Sequence, residues 1–512
     1  MEKESRTSGS AWGAILGIWG ALTALLVWRF LPWFRPDASV VVPAFLFACL
    51  SYFVLTGVFN IVVNAISHGL PEPLPKGGVK GTPRVALFYC TFNDFDPEAA
   101  DTMLRLTYRP VDLWILDDST DPKARAQADA FARDVHAQGT SIRIVRRDQR
   151  KGFKAGAINH ALALLAPDVA YVGIVDADEF LTPAFVEGCL RHFADDVAFV
   201  QANHHCQNTE RSWFTRYLGV GVDLHWRHYQ HYRNRYGLVN MLGHGALIRR
   251  DVLNLVGGFP EVTCEDLAFT VEARMRGFRG AFAAEVMCGE TFPGDFHAMR
   301  RRHLRWSWAT VEFLRINLLR ILRSRWRLHE KLDLLLPAIN LPAVFLLVAF
   351  IGAVQGWRWS GGDLAVFRDP IIIALGAFAS LAPLAMFADL LRRPAFALKA
   401  IIVNTATYIA LFPVSVVGVV RGLLRPAEFL VTPKGVQGPL SLASAARQSR
   451  VEVAFGLALL ALGFQAFGPW GVASPLALAA FGVPILLWAS RRALIRAEGL
   501  PPGDSNRVGK TL

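Results

Sequence analysis

The distribution of charge along this chain constrains its fold before anything else does. Between residues 11 and 34 the only charged side chain is Arg29, and between 38 and 71 there is no Asp, Glu, Lys or Arg. A helix needs about 20 apolar residues to cross a hydrocarbon core, so residues 1–71 are predicted to form a hairpin of two transmembrane helices joined at 31–36. The first run is too long for a secretory signal peptide, and no small-residue cleavage site precedes the second. Residues 72–331 then show the turns, charges and alternating patterns of a soluble domain. Apolar runs return at 332–354, 370–391, 401–420, 451–467 and 472–490.

Composition agrees with a soluble block held between membrane bundles. Hydrophobic residues make up 53% of the 512 and charged residues 19%, against about 25% charged in an ordinary globular chain. A disordered chain, a collagen-like fibre and a coiled coil are excluded. The six cysteines form no Cys-x-x-Cys pair, and nothing in their spacing asks for a disulfide scaffold. The formal net charge of +12 is assigned to an anionic membrane surface rather than to nucleic acid, because the chain is so apolar. Much of it lies in residues 297–331, where ten Lys or Arg meet only Glu312 and Glu330. Val311, Leu314, Leu318 and Ile321 recur there at helical spacing, the pattern of a basic amphipathic helix in the headgroup region. Arg392, Arg393 and Lys399, and the tail with Arg491, Arg492 and Arg496, are basic, whereas the loops near Gly361 and Gly471 are neutral. This bias places the soluble block and both termini in the cytoplasm, although Arg29 and Arg35 run against it.

Inside the block, β-rich runs at 84–90, 112–116, 141–146 and 171–175 alternate with helical ones at 123–136, 154–165 and 183–193. The alternation predicts an α/β fold, a parallel sheet with helices on both faces. Ligands of such sheets bind outside the carboxyl ends of the strands, and there this chain keeps its carboxylates. The first strand ends in Cys90-Thr-Phe-Asn-Asp94, the second in Leu116-Asp-Asp-Ser-Thr-Asp121, and the fourth in Val175-Asp-Ala-Asp-Glu-Phe180. Asp176 and Asp178 fall on the same side of an extended segment and can share one hard cation, leaving its other positions to diphosphate oxygens. The run Arg150-Lys-Gly-Phe-Lys-Ala-Gly-Ala-Ile-Asn159 opens a helix whose free amides favour an anion, with Lys154 adding a matching charge. Thr263-Cys-Glu-Asp-Leu267 places two acids before an apolar helical run. Arg301-Arg-His-Leu-Arg-Trp306 follows, and later Phe429-Leu-Val-Thr-Pro-Lys-Gly435. His204, His205, Cys206, His225, His228, His231 and His244 show no clean metal-ligand spacing. With Trp226, Tyr229, Tyr232 and Tyr236 they are read as lining an acceptor channel or the membrane interface.

In this order the motifs resemble the membrane-embedded processive family 2 glycosyltransferases, the group of cellulose synthase, hyaluronan synthase and the cellulose-synthase-like mannan and glucan synthases. The likeness covers about residues 82–435, and 116–122 with 152–157 look especially like the mannan and glucan branch. It implies a GT-A fold, a Rossmann-like parallel sheet in a cytoplasmic catalytic domain at 72–295. That domain would be inserted between the N-terminal hairpin and a C-terminal transmembrane region at 332–512. Amphipathic interface helices are expected at 296–331 and 401–424, and a gating loop at 425–440. A crossing at 401–420 would carry that loop away from the nucleotide, so six spans are expected rather than seven.

The resemblance also implies roles. Thr91, Asp94 and Asp118 would hold the base and ribose of a nucleotide sugar, and Lys154 would lie near its phosphates. Asp176 would stand beside the donor, Asp178 would ligand Mg²⁺ or Mn²⁺, and Asp266 would be the catalytic base. Arg302 and Arg305 would meet the diphosphate, and Trp306 would form a floor under the acceptor sugar. Phe429, Val431, Thr432 and Lys434 would close over bound donor. The chemistry calls for such a set: a carboxylate deprotonating the acceptor hydroxyl is worth about 10²–10⁴-fold, and cations must take the charge of the leaving diphosphate.

The expected activity is therefore an inverting transfer of a hexose, with UDP-glucose as donor, to the end of a growing β-linked polysaccharide. The polymer would pass through the membrane helices of an inner-membrane protein to export partners outside. Arg302 stands where cellulose synthases have Gln and also occurs in glycolipid and periplasmic-glucan synthases. A glycolipid synthase acting on diacylglycerol or ceramide is the alternative, though the gating-loop motif favours polymer. Cys264 stands where the family has Thr, and with only 491–512 after the last apolar run no regulatory domain is expected there. A transporter would need ionisable residues inside its spans, and Asp333, Asp389 and Glu452 lie near the ends of theirs.

Overall fold

The computed structural model describes residues 2–33, 40–70, 77–363, 365–428, 432, 438–467 and 475–499. The two apolar runs at the start lie in helices Glu2–Phe30 and Val41–His68, packed through Trp12, Ile15, Val54, Phe59 and Val63. Among the described helices, Ser10–Phe30, Val41–His68 and Pro370–Arg392 are long and apolar enough to cross a membrane. Two bent pairs pass only together, Leu328–Asn340 with Val344–Trp359 (64°) and Pro394–Ala410 with Phe412–Leu424 (40°). Counting each as one span gives five. Helices Arg450–Phe467 and Pro475–Ala497 follow.

The block between the bundles folds around an eight-stranded sheet. Its strands are β1 (Arg84–Thr91), β2 (Val111–Asp117), β3 (Ile142–Val145), β4 (Val169–Asp176), β5 (Glu179–Phe180), β6 (Val197–Cys206), β7 (Ala246–Arg249) and β8 (Arg279–Glu290). Their order is β3-β2-β1-β4-β7-β6-β8-β5. The β3-β2-β1-β4 half is parallel throughout, as the alternation predicts. Val85, Ala86, Leu87, Phe88 and Tyr89 are all fully buried, the unbroken apolar run required of a strand covered on both faces. Helix Pro122–Ala137 covers one face with Ala128, Ala132 and Val135, and Phe153–Leu162 covers the other with Ala155, Ile158 and Ala161. Beyond β4 the sheet becomes mixed. Strand β7 is antiparallel to β4 and β6, and β6 is parallel to β8. This extension was not visible in the sequence, because β6 carries buried polar residues such as Gln201, Asn203 and His204 that break an apolar pattern. The result is an α/β fold of the GT-A type.

Register sets up the site. Thr91 pairs with Asp117 and Cys90 with Asp176, so β1, β2 and β4 finish level and their loops open on one edge. The facing wall comes from helix Phe296–Arg323, whose N-cap Asp295 accepts from the Ala298 amide at 2.9 Å. The apolar row expected to face headgroups packs inward instead. Leu314, Leu318 and Ile321 meet Val271, Leu334 and Leu335, and Val311 lies against Gly422. A second row, Ile316, Leu319 and Leu322, is exposed. Both rows have helical spacing, and periodicity alone does not rank them. Helix Phe412–Leu424 lies along this one with Gly418 against Ser307 and Gly422 against Val311. A Cβ on either glycine would stand 2.6 Å from the facing side chain, so only glycine permits this approach. Ion pairs Asp295–Arg491 and Arg300–Glu452, and a 3.0 Å bond from the Phe296 amide to Ser490 Oγ, tie the last two helices to the same wall.

Candidate active site

The loops after β1, β2 and β4, together with segments near Gly243, Asp266, Glu290 and Arg302, enclose a cleft of about 280 Å³. Thr91, Asp94, Asp118, Lys154, Asp176, Asp178, Asp266, Arg302, Arg305, Trp306 and Thr432 all line it. Phe429, Val431 and Lys434 lie outside the described residues.

At one end the β1 loop is fixed by Asp94, whose Oδ1 accepts from Thr91 Oγ1 at 3.0 Å and from the Phe92 amide at 2.8 Å. Of the twin aspartates after β2, Asp117 is buried on Arg146 at 2.7 Å, while Asp118 reaches the cleft. Asp118 is held by Arg147 through Nε at 2.9 Å and Nη2 at 2.5 Å. That grip depends on Gly156. A Cβ there would stand 2.0 Å from the Lys151 carbonyl and 2.6 Å from Arg147 Nη1. Arg150 lies 3.5 Å from the centroid of the Phe92 ring, a flat cationic and aromatic surface. Neither residue had a role in the sequence reading, although both sit in the quoted motifs.

The floor is a network of opposite charges. Lys154 Nζ pairs with the Asp176 carboxylate and donates to the Gly243 carbonyl at 2.9 Å. Burial works against the charge on Lys154, but Asp176 outweighs it and holds the ammonium well above its usual range. Burial likewise opposes the charge on Asp176, and Lys154 with His244 keeps it below the ordinary carboxylate range. Behind it Glu179 Oε2 accepts from the Gly245 amide at 2.9 Å and the Asp176 amide at 3.2 Å. Glu179 Oε1 meets His204 Nε2 at 2.7 Å and His244 Nδ1 at 3.5 Å. Despite burial, His244 and His204 bring Glu179 down to about 2. Against its own burial, His244 is carried up to about 10 by Glu179. His244 is thus a fixed cation of the cleft, whereas the sequence reading groups it with residues lining an acceptor channel or the membrane interface. Its signal was the Gly243-His244-Gly245 run, in which both glycines take positive φ (+89° and +56°).

Opposite lie the two acids that open helix Glu265–Met275. Burial, then the neighbouring Asp266 charge, pushes Glu265 up to about 8, so it carries a proton at neutral pH. Burial also raises Asp266, whose Oδ1 accepts the Leu267 amide at 2.8 Å. Across from them Arg302 stacks between Phe292 (3.8 Å) and Trp306 (4.3 Å), with Glu290 at 3.4 Å from its Nη1. Glutamine makes no such stack, which gives the Arg302 departure a structural meaning. Glu290 and Phe292, at the end of β8, were not anticipated. Burial lowers the pKa of Arg302 and Arg305, yet guanidinium stays charged. Asp176 and Asp178 offer the hard oxygen donors that suit Mg²⁺ or Mn²⁺.

The aromatic and histidine-rich stretch divides. His204 and His244 belong to the floor, whereas Tyr229, Tyr232 and Tyr236 pack on the N-terminal helices. His225 stacks on Tyr229 at 4.6 Å, and His228 meets His68 and Asp389.

The sequence profile described as glycosyl transferase family group 2 matches residues 171–417. A probable glucomannan 4-beta-mannosyltransferase 9 of Oryza sativa subsp. japonica is 27% identical over 216 residues, 41% of this chain and 41% of that protein. Glucomannan 4-beta-mannosyltransferase 2 of Arabidopsis thaliana is 27% identical over 216 residues, 41% of this chain and 40% of that protein. The match therefore spans about two fifths of the length of these relatives. A mannosyltransferase from Pyrobaculum calidifontis, solved with GDP-Man and Mn²⁺, superposes with a TM-score of 0.49 at 18% identity, covering 71% of this chain and 98% of that one. Over residues 171–417 the chain thus matches glycosyl transferase family group 2, and the relatives it resembles are glucomannan mannosyltransferases.

Proposed function

We propose that this protein is an inverting hexosyltransferase that moves a sugar from a nucleotide sugar to the end of a β-linked glycan. One observation carries the proposal. A half-buried carboxylate with a raised pKa, Asp266, shares a cleft with the fixed cations Lys154, His244, Arg302 and Arg305. Asp266 accepts the proton of the acceptor hydroxyl as its oxygen attacks the anomeric carbon. Lys154, Arg305 and Arg302 receive the charge that develops on the departing diphosphate. Asp178, with Asp176, would hold Mg²⁺ or Mn²⁺, which when bound supplies further positive charge at that diphosphate. Phe92, Arg150 and Asp118 suit the base and ribose, with Thr91 and Asp94 shaping the loop beneath. Trp306 offers apolar area to an acceptor ring without selecting one hydroxyl pattern. Thr432 Oγ1, buried at the cleft with no hydrogen-bond partner among the described residues, supports a gating role for residues 425–440.

The relatives are named for glucomannan. That favours a polysaccharide over a lipid acceptor, and it sets GDP-mannose beside the expected UDP-glucose as donor. We place the cleft on the cytoplasmic side of an inner membrane, with six spans and with Phe296–Arg323 and Phe412–Leu424 along its surface. The growing polymer then crosses between the helices to partners outside. The test is purified protein in nanodiscs with labelled GDP-mannose and UDP-hexoses. The expected product is a long glycan cut by a β-mannanase or β-glucanase. A short chloroform-soluble product would overturn the polymer reading, and no transfer from any donor would overturn the activity.

A further inference from the structure

A second group of ligating side chains lies outside the cleft, where three parts of the molecule meet. His68 ends the span Val41–His68, Asp389 lies near the end of the span Pro370–Arg392, and His228 sits in the π-helical turn Trp226–Gln230 of the central domain. His68 Nε2 is 2.5 Å from Asp389 Oδ1, and His228 Nε2 is 3.1 Å from Asp389 Oδ2. One ligand atom from each residue lies within 4.8 Å of the other two.

The hydrogen bonds behind these rings decide what faces the centre. Ser67 Oγ lies 2.9 Å from the Asn64 carbonyl and 2.7 Å from His228 Nδ1, and with its hydrogen on that carbonyl it accepts from the His228 Nδ1–H. His68 Nδ1 donates to the same Asn64 carbonyl at 2.5 Å. A neutral His68 ring therefore keeps its hydrogen on Nδ1 and turns a bare Nε2 lone pair toward the carboxylate, and His228 does the same when the Ser67 hydrogen lies on the Asn64 carbonyl. Three acceptors then converge, which is repulsive unless a cation stands among them. Histidine ligands of metals are oriented in this way by their second nitrogen. Two imidazoles and one carboxylate suit Zn²⁺, which takes nitrogen and oxygen donors at a tetrahedral site, better than hard Mg²⁺. The partly exposed flank of His68 leaves room for water in the fourth position. Arg227, 3.7 Å from Asp389 Oδ2, is largely exposed and able to turn into solvent. A π-helical turn is a feature that gathers at functional sites, and here it carries His228.

We propose that His68, His228 and Asp389 form a zinc-class metal site that staples the N-terminal span, the C-terminal bundle and the catalytic domain together. The test uses the full chain in nanodiscs, loaded with Zn²⁺, washed, and counted by elemental mass spectrometry, with Co²⁺ substitution for its visible spectrum. Wild type and Asp178→Asn should retain a zinc ion that His228→Gln and Asp389→Asn lose. Chelation should lower the wild-type unfolding temperature, and Zn²⁺ but not Mg²⁺ should restore it. Absence of retained zinc in wild type overturns the site and leaves protonated imidazoles as the cation. Zinc retained in the Asp178→Asn/Asp389→Asn double variant overturns it too. Should His228→Gln fail to fold, the cobalt spectrum decides. Tetrahedral bands lost in His68→Gln, at the exposed flank, support the site, and bands that are missing in wild type or unchanged in His68→Gln refute it.

Discussion

Replacing Asp266 by Asn separates proton transfer from every other property of the cleft. The amide keeps the shape of the carboxylate, and its oxygen still accepts the Leu267 amide that Asp266 Oδ1 takes at 2.8 Å. The folding cost is then the lost charge at a helix N-terminus, about 0.3–1 kcal/mol, partly offset because burial already disfavours that charge. Donor affinity should hold or improve, since a negative charge leaves the neighbourhood of the diphosphate. With Asp266 as the proposed base, the chemical step should lose its proton acceptor, worth about 10²–10⁴ in kcat, or about 3–5 kcal/mol of barrier. The assay pairs initial rates of labelled sugar incorporation with direct donor binding to the same preparation. A variant that binds donor normally and turns over within tenfold of wild type would refute the assignment of Asp266 as base.

Three further outcomes follow from neighbouring geometry. Glu265, pushed up to about 8, is neutral at pH 7 and ionises as the pH passes that value, adding a negative charge beside Asp176. kcat/KM should decline on that limb, and Glu265→Gln should flatten it; a limb that survives the substitution contradicts the reading. Gly156→Ala sets a methyl group 2.6 Å from Arg147 Nη1 and should loosen Arg147 from Asp118. Loss of a charged hydrogen bond worth about 1.5–3 kcal/mol predicts a donor KM raised by about ten- to a hundredfold with a smaller change in kcat, and an unchanged KM would contradict it. Gly422→Val sets a side chain against Val311 and the Trp308 carbonyl. Overpacking of about 1–3 kcal/mol should lower the unfolding temperature, and an unchanged melting curve would show that the two helices are not held at this distance.

The parallel half of the sheet was legible because β1, β2 and β4 have apolar middles with acids at or just beyond their carboxyl ends, and register then carries those acids to one edge. Asp176, Asp118 and Lys154 could be named from sequence for that reason. The mixed half was not legible: its strand β6 holds Gln201, Asn203 and His204, buried polar residues that reach partners distant in sequence at His244, Ala284 and Glu179. Glu179 and His244 belong to the same class. Each is explained by the other, 65 positions away along the chain; the Gly243-His244-Gly245 run signals a special backbone but not that partner. The basic helix was legible as a helix but not in its facing, since Val311, Leu314, Leu318 and Ile321 compete with Ile316, Leu319 and Leu322 for the name of apolar face. Tertiary packing chose the first row for the protein interior.

That choice bears on how the cleft is held. Arg302, Arg305 and Trp306 occupy the second and third turns of a helix whose later turns expose Ile316, Leu319 and Leu322. Its start is bound to the last two helices through Asp295–Arg491 and Arg300–Glu452. Its middle is clasped by Gly418 and Gly422 of Phe412–Leu424, whose following residues Arg425 and Ala427 accept from Trp308 Nε1 at 3.1 Å and Thr263 Oγ1 at 3.0 Å. Thr263 lies three residues before Asp266 and lines the same cleft. One wall of the cleft is therefore built by the sheet and the other by elements anchored in the apolar bundles. A shift of Phe412–Leu424 along its glycine contacts would move Arg302, Trp306 and the Asp266 loop together, because all three are tied to that helix pair. The mixture of soluble and membrane character in the chain is, at this wall, a single mechanical unit.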